Sequence, residues 1–363
     1  MESAVLEEQQ LRTFRQALLW WYSLHARDLP WRRTQDPYCI WISEIMLQQT
    51  RVAAVVERYK IFVERFPSLL ALALAGEDEI LAVWSGLGYY KRARLLHRAA
   101  QFVLREHAGT LPQSADALRK LPGIGAYTAA AVASIAFNEP VAVVDGNVER
   151  VVTRVLGMAG SGKQPSPSLL RKAADRLLAT EKPGTFNQAM MELGATICLP
   201  QNPLCMQCPV MEICRTQGEH PVARRKQMRS RLIAYGLVRR QEKQQGKLEV
   251  LLQQRPANAS QMPGMWELLE VDESIVENIE PVLRVRHAIT NTNHYVRVYD
   301  FDLPTENMLQ KHETQRWANA DTLLALPLTG LARKILMRMD ILPRPKTIRT
   351  GREIPAAFDP FLL

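Results

Sequence analysis

No stretch of the 363 residues reaches the roughly 18 uninterrupted apolar residues of a membrane-crossing helix, so no transmembrane span is expected. Cysteine is scarce, with five in the whole chain. A disulfide framework of the small secreted kind is therefore excluded. The first ten residues are acidic and amphipathic, without the basic and apolar segments of a secretory signal. The expected location is the cytoplasm, where free thiols and metal clusters outlast disulfides. Internal repeats are absent, and one basic stretch is the only compositional bias. With 47% hydrophobic and 23% charged residues, the chain is neither a disordered tail nor a low-complexity scaffold. At about 100–200 residues per domain, two or three domains are expected.

What is present is positive charge. Lys and Arg number 46 against 37 Asp and Glu, a net of +9, which favours a polyanionic partner. The excess is uneven. Residues 1–220 carry 24 basic and 21 acidic side chains, and residues 221–363 carry 22 and 16. Arg224, Arg225, Lys226, Arg229 and Arg231 crowd one stretch, and Arg344, Lys346, Arg349 and Arg352 another. They read either as a solvated linker and tail or as phosphate contacts, which carry no sequence information.

Residues 1–220 read as helix. Leu11, Phe14, Leu18, Trp21 and Tyr22 form a helical stripe broken at Pro30, and the run from Trp41 to Phe66 holds no Gly or Pro. Shorter amphipathic runs follow, at 68–75, 77–85, 91–107, 115–120, 127–137, 146–156 and 168–180. After about residue 230 the pattern changes to alternation at 231–240, 247–254 and 296–303, with helices expected at 321–325 and 330–339. This second part is α+β, and the basic stretch 221–231 is the expected linker.

Four cysteines form Cys198-x6-Cys205-x2-Cys208-x5-Cys214. Four thiolates in one loop suit zinc or a [4Fe–4S] cluster. The first gap of six departs from paired short zinc knuckles and favours iron–sulfur. Cys39 stands alone and reads as a packing thiol.

Leu121-Pro-Gly-Ile-Gly-Ala-Tyr-Thr-Ala129 joins two helices. Gly123, Ile124 and Gly125 form either a plain turn or a hairpin whose helix N-terminus receives a DNA phosphate. Twenty residues past Gly125, an apolar run delivers Asp145 to a helix start, as an N-cap or as a carboxylate able to stabilise a developing cation. Asn147 is placed to orient it. Glu44 falls in an apolar helical turn. It is either a rim glutamate or a desolvated general acid with a raised pKa. Two carboxylates in unlike surroundings can divide acid and electrostatic roles.

The hairpin, the aspartate and the cysteine loop together resemble the helix–hairpin–helix DNA glycosylases of the endonuclease III superfamily, over roughly residues 10–220. Within it the chain is most similar to the MutY-type adenine glycosylases. The matching stretches are Arg27-Asp-Leu-Pro-Trp-Arg32, Ser43-Glu-Ile-Met-Leu-Gln-Gln-Thr50, Gly86-Leu-Gly-Tyr-Tyr90, Val144-Asp-Gly-Asn-Val148 and Phe186-Asn-Gln-Ala-Met-Met-Glu-Leu-Gly194. The resemblance implies an all-α glycosylase with one [4Fe–4S] cluster on Cys198, Cys205, Cys208 and Cys214. It implies a cluster subdomain from 1–29 and 138–220, and a six-helix barrel with the hairpin at 30–137. It assigns catalysis to Glu44, Asp145, Tyr127 and Asn147. The adenine pocket falls to Arg27, Trp31, Leu47, Val52 and Glu192. DNA contacts fall to Arg32, Gln49, Thr50, Leu87, Gly88, Tyr89, Gly123, Ile124 and Gly125. Lyase relatives carry a nucleophilic Lys where this chain has Tyr127, so strong lyase activity is not expected.

Leu251 to Leu269, with Met262-Pro-Gly-Met-Trp-Glu-Leu, resembles the family's Nudix-like lesion-reading domain, expected over 232–345. The Glu-rich magnesium box is missing, so binding without hydrolysis is implied. Ile289-Thr290-Asn291 stands where the family carries Phe-Ser-His, which weakens the transfer of 8-oxoguanine discrimination. The tail 346–363 reads as packing or as a docking peptide for a replication or repair partner. The implied substrate is double-stranded DNA with 8-oxoguanine·adenine or guanine·adenine, bound by a monomer at the nucleoid and not at a membrane. The alternatives are an endonuclease III-like pyrimidine glycosylase/lyase and a non-enzymatic iron–sulfur DNA sensor.

Overall fold

The computed structural model describes residues 6–158, 165–219, 228–241, 247–289, 292–302 and 314–343. Arg224, Arg225, Lys226, Thr290, Asn291 and the tail from residue 344 lie outside them. Among the described residues no helix is long and apolar enough to cross a membrane.

The first part is helical: α1 (Glu8–His25), α2 (Pro37–Leu47), α3 (Val52–Arg65), α4 (Leu69–Leu74), α5 (Glu77–Trp84), α6 (Lys91–Glu106), α7 (Ala115–Leu118), α8 (Ala126–Phe137), α9 (Gly146–Val155), α10 (Pro167–Leu177) and α11 (Pro183–Thr196). Helices α2 to α8 enclose one core around Trp41, Phe62 and Trp84. The stripe on α1 packs instead on α9, α10 and α11 to make a second core. The chain's beginning thus returns to its later helices, and a cleft forms where the two cores meet.

Two departures from the sequence pattern have identifiable physical causes. The run from Trp41 to Phe66 is not one helix. It breaks between α2 and α3, where Gln49 takes a left-handed φ of 56°. The half-buried Arg92 donates to the carbonyls of Ile45 (2.7 Å), Met46 (3.1 Å) and Gln48, so the acceptors of the next helical turn are already engaged. The helical runs expected from the sequence stop at residue 180, yet Pro183–Thr196 forms α11. Pro183 lies in its first turn, where no N–H is needed. Gly184 lets α11 approach α8, because a Cβ there would sit 2.6 Å from Ser134 O.

The second part is an α+β unit with a mixed sheet. Its elements are β1 (Arg229–Gln241), β2 (Leu248–Gln254), β3 (Trp266–Glu267), β4 (Leu269–Glu270), β5 (Leu283–Ile289), β6 (Thr292–Phe301), β7 (Gln315–Asn319), α12 (Ala320–Ala325) and α13 (Gly330–Arg338). The strand order is β3-β2-β1-β6-β5, with β7 on β2 and β4 on β1. Strands β1 and β6 run parallel and the other pairs antiparallel. Alternate residues of β1 feed cores on opposite faces, Ile233 and Leu237 on one and Ala234 and Val238 on the other. Strand β7 carries little sequence signal, since it is short and mostly half-exposed, whereas β5 turns Leu283 and Val285 to the core and Arg284 and Arg286 outward, an alternation that the sequence reading passes over.

The sheet unit is seated on the barrel through the segment after α5. The Tyr90 hydroxyl donates to Leu328 O at 2.9 Å, and Arg94 Nη2 to Pro263 O at 2.7 Å. Met265 is buried in the barrel core itself.

Candidate active site and cluster loop

A cavity of about 190 Å³ lies where the two helical cores meet. The end of α2 contributes Glu44 and Leu47, and the start of α3 contributes Val52. Tyr127 comes from the first turn of α8, and Asp145 and Asn147 from the start of α9. Trp31, Arg27 and Arg32 close one side, and Glu192 comes from α11. The structure thus brings together every residue assigned above to catalysis or the base pocket, with Thr50 beside them.

Glu44 is 4% exposed. Burial pushes its carboxyl up to about 7, against a lowering hydrogen bond from Tyr127; Asp145 raises it further and Arg32 lowers it. Tyr127 Oη donates to Glu44 Oε2 at 2.5 Å. Asp145 occupies both positions that the sequence left open: it caps α9 and lines the cavity. Its Oδ1 accepts from the backbone N–H of Asn147 (2.9 Å) and Val148 (2.7 Å), and its Oδ2 from Asn147 Nδ2 (2.9 Å). Three donors thus fix this carboxylate.

Glu192 is 1% exposed and accepts from Arg27 Nε at 2.6 Å, Arg27 Nη2 at 2.8 Å and Arg32 Nη2 at 2.7 Å. Burial would raise its pKa, but the hydrogen bonds from Arg27 and Arg32 outweigh burial and hold it below the usual glutamate value. Arg32, assigned above to DNA contact, is therefore turned into the cavity wall.

Leu87 also differs from expectation. It packs in the barrel core at 5% exposure, whereas Tyr89 beside it is 46% exposed with a left-handed φ of 49°. In this conformation Tyr89 is the residue presented outward. Gln49 is likewise held in a left-handed backbone. Arg92 ties these two loops together, since its Nη2 also donates to Thr50 Oγ1 (3.0 Å), Leu87 O (3.3 Å) and Gly88 O (3.3 Å). In the hairpin between α7 and α8, Gly123 has φ +76° and a Cβ there would lie 2.7 Å from Leu95 Cβ, so both angle and space require glycine. Ile124 is buried, and Gly125 begins α8 without a side-chain cap. Ile289 ends β5 opposite Thr292.

Sequence reasoning passed over Gln188 and Met191, which line the cavity from α11 with Glu192 and Ala195. Their spacing of three and four residues was the available signal, within a stretch already singled out for its resemblance.

Cys198, Cys205, Cys208 and Cys214 converge on one apolar hollow, all unbridged. Burial pushes the Cys208 thiol up to about 11, with the other three cysteines adding to the shift. A group bound as thiolate here needs metal charge to offset it. Among the described residues no three or more His, Cys, Asp or Glu are gathered as a single metal ion requires. Four thiols lining one hollow match the all-cysteine ligation of a [4Fe–4S] cubane. The buried Arg154 donates from Nη1 to Cys198 Sγ (3.3 Å) and Leu199 O (2.6 Å), supplying positive charge beside the thiols. Arg150 links this loop to the cavity, donating to Cys198 O (2.7 Å), Gly194 O (2.7 Å) and Asn147 Oδ1 (2.9 Å). Cys39 packs on the barrel core.

Residues 42–179 match the family described as HhH-GPD superfamily base excision DNA repair protein, and residues 198–214 match the iron–sulfur binding domain of endonuclease III. The four cysteines accordingly hold one [4Fe–4S] cluster. Adenine DNA glycosylase of Homo sapiens is 46% identical over 221 residues, covering 57% of this chain and 40% of its own length. That of Schizosaccharomyces pombe is 39% identical over 236 residues, with 59% and 51% covered. That of Buchnera aphidicola from Acyrthosiphon pisum is 38% identical over 208 residues, with 57% and 59% covered. The chain thus spans about half the length of the curated relatives it matches. Among solved structures, a thermostable thymine-DNA glycosylase is 31% identical with a TM-score of 0.54, covering 57% of this chain and 96% of that one. An endonuclease III–DNA covalent intermediate is 25% identical with a TM-score of 0.50, covering 58% and 97%. The hairpin before α8, the capped Asp145 and the cluster loop occupy one helical frame, and with these matches the chain belongs to the HhH-GPD superfamily of base excision DNA repair proteins.

Proposed function

We propose that this chain is a DNA glycosylase that removes adenine paired with 8-oxoguanine, and also with guanine, from double-stranded DNA. The observation that carries this reading is the pairing of a buried, proton-holding Glu44 with a firmly fixed Asp145 across one base-sized cavity. The adenine leaves the stack to enter the cavity. Protonated Glu44 donates to its N7, Tyr127 engages the other side of that carboxyl, and the glycosidic bond breaks. Asp145 stabilises the oxocarbenium-like sugar or captures it transiently, as in retaining glycosidases, and water completes hydrolysis. Arg27, Trp31, Leu47, Val52 and Glu192 shape the pocket around the base. The uncapped start of α8 after Gly123–Gly125 holds a backbone phosphate. Gln49 and Tyr89, on the two loops that Arg92 ties, contact the opened duplex, and Thr50 lies beside them. Leu87 joins them as a wedge only if it leaves the core. The cluster supplies structure: it crosslinks residues 198–214 beneath α9 and α11.

The sheet unit is the Nudix-like domain of this reading, and it binds without hydrolysing. Glu267 accepts from Arg255 Nη1 (2.7 Å) and Tyr235 Oη (3.2 Å), and Glu270 pairs with Arg231, so neither carboxylate is free for magnesium. The hairpin from Ile289 through Thr290 and Asn291 reads the opposing base. The active species is a monomer.

The test is a panel of duplexes with one 8-oxoguanine·adenine pair, one guanine·adenine pair or one thymine glycol. Free adenine from the first two, with strand breaks only after alkali, is expected. Release of thymine glycol with spontaneous strand breaks selects the endonuclease III-like alternative, which Tyr127 disfavours for want of an amine. No base release from any duplex selects the non-enzymatic sensor.

A further inference from the structure

A residue with a side chain adopts a left-handed backbone at a cost, and keeps it only where the surroundings hold it there. Two exposed residues of the barrel do so, Gln49 with φ 56° and Tyr89 with φ 49°. They stand on different loops, one between α2 and α3 and the other between α5 and α6. A single guanidinium brackets both. Arg92, in the first turn of α6, donates from Nη1 to Ile45 O (2.7 Å), Met46 O (3.1 Å) and Gln48 O, and from Nη2 to Thr50 Oγ1 (3.0 Å). The residues on either side of Gln49 are thereby pinned. The same Nη2 reaches Leu87 O and Gly88 O, both at 3.3 Å, immediately before Tyr89. The ring of Tyr89 lies with its centroid 5.3 Å from the guanidinium carbon.

The brace is itself anchored. Two residues to either side of Arg92, Tyr90 Oη donates to Leu328 O (2.9 Å) and Arg94 Nη2 to Pro263 O (2.7 Å), so the sheet unit holds the start of α6. Carbonyls, one hydroxyl and the faces of Trp84 and Tyr89 meet the charge of Arg92. Burial pushes the guanidinium down to about 10, which leaves it charged at neutral pH. A lysine ammonium has three donors at one point, whereas the planar fork of arginine can serve two loops at once. A side chain that enters an opened base stack pays an ordering cost unless its backbone is already fixed.

We propose that Arg92 is a positioning residue for base extrusion: it holds Gln49 and Tyr89 as the two prongs of one preformed wedge, which acts on opening the duplex and not on breaking the glycosidic bond. This rests on the duplex contacts of Gln49 and Tyr89 in the function proposed above and not on its base chemistry.

The experiment uses the full-length protein and a duplex with 2-aminopurine opposite guanine, whose fluorescence rises when that base leaves the stack. Arg92→Lys keeps the charge and removes the fork. At saturating protein it should lose most of the fluorescence rise, and single-turnover release of adenine from a guanine·adenine duplex should slow by about 10–100-fold. An undiminished rise overturns the proposal even if release slows, because the arginine then acts on the chemistry. A second measurement leaves Arg92 in place, in case its replacement loosens the barrel. Gln49→Ala and Tyr89→Ala alter exposed side chains. Expressed as extrusion equilibria, their combined loss should be smaller than the sum of the single losses, as for two parts of one unit. Additive losses overturn the shared wedge. A parent that raises the fluorescence and releases no adenine, with the rise lost in Arg92→Lys, supports the wedge and removes the glycosylase reading. Adenine release without any fluorescence rise in the parent leaves that reading standing and overturns the wedge.

Discussion

Glu44 is where a single residue's surroundings decide chemistry. Its carboxyl is held near 7 chiefly by burial, so a general acid there works while protonated, and excision should fall as pH rises through about 7. Glu44→Gln should keep duplex binding and lose about 10²–10⁴-fold in single-turnover excision; near-parental rates would falsify the acid role. Tyr127→Phe removes a hydrogen bond that lowers the Glu44 pKa, so the alkaline limb of the pH–rate profile should move up. The same burial acts on stability. Because the folded pKa lies above the carboxyl's ordinary 4.5, this group's stabilisation is complete below about 4.5 and is lost as pH rises through about 7. The loss is on the order of 3 kcal/mol. The Tm of Glu44→Gln, relative to the parent, should therefore rise between pH 5 and pH 8, and a constant difference would remove this linkage. The apolar turn around Glu44 made burial legible in the sequence. Its partner Tyr127 was not legible from local pattern, because the two are 83 residues apart and meet only when α2 packs on α8.

At the scale of elements, α9 and α11 set where Asp145 stands. A Cβ on Gly194 would lie 2.6 Å from Asn147 Cβ and 3.0 Å from Asn147 O, so Gly194→Ala must push the start of α9 away. A cost of about 1–3 kcal/mol is expected, with slower excision and an intact iron–sulfur absorbance. Unaltered Tm and rate would show that the two helices tolerate the methyl. Most helices were readable from their apolar stripes, α1 above all. The break between α2 and α3 was not, since its cause, Arg92, is 44 residues beyond Gln48. Helix α11 hid behind Pro183 and Gly184, which mean opposite things at a helix start and in a loop. Strand β7 lacked a signal because its residues are mostly half-exposed.

For the whole molecule, the cluster loop and the charge distribution are the decisive features. Cys208→Ser should abolish the visible iron–sulfur absorbance and lower the Tm. It should also weaken DNA binding, because Arg150 and Arg154 then lose the ordered loop that they brace. Retained binding and stability without the cluster would contradict this crosslinking role. The net charge of +9 pointed to a polyanion from composition alone, and the counts placed most of its excess beyond residue 220. The sequence by itself determined the helical first part, the α+β second part, the four-cysteine ligand set and the carboxylates worth attention, because periodicity, spacing and motif are local properties of a chain. Only the tertiary structure decided that the capping Asp145 also lines the cavity, that Arg32 is spent on Glu192, and that Leu87 is packed inward. Each of these depends on contacts between residues far apart in sequence, and no local pattern encodes which distant partner a buried charge will meet.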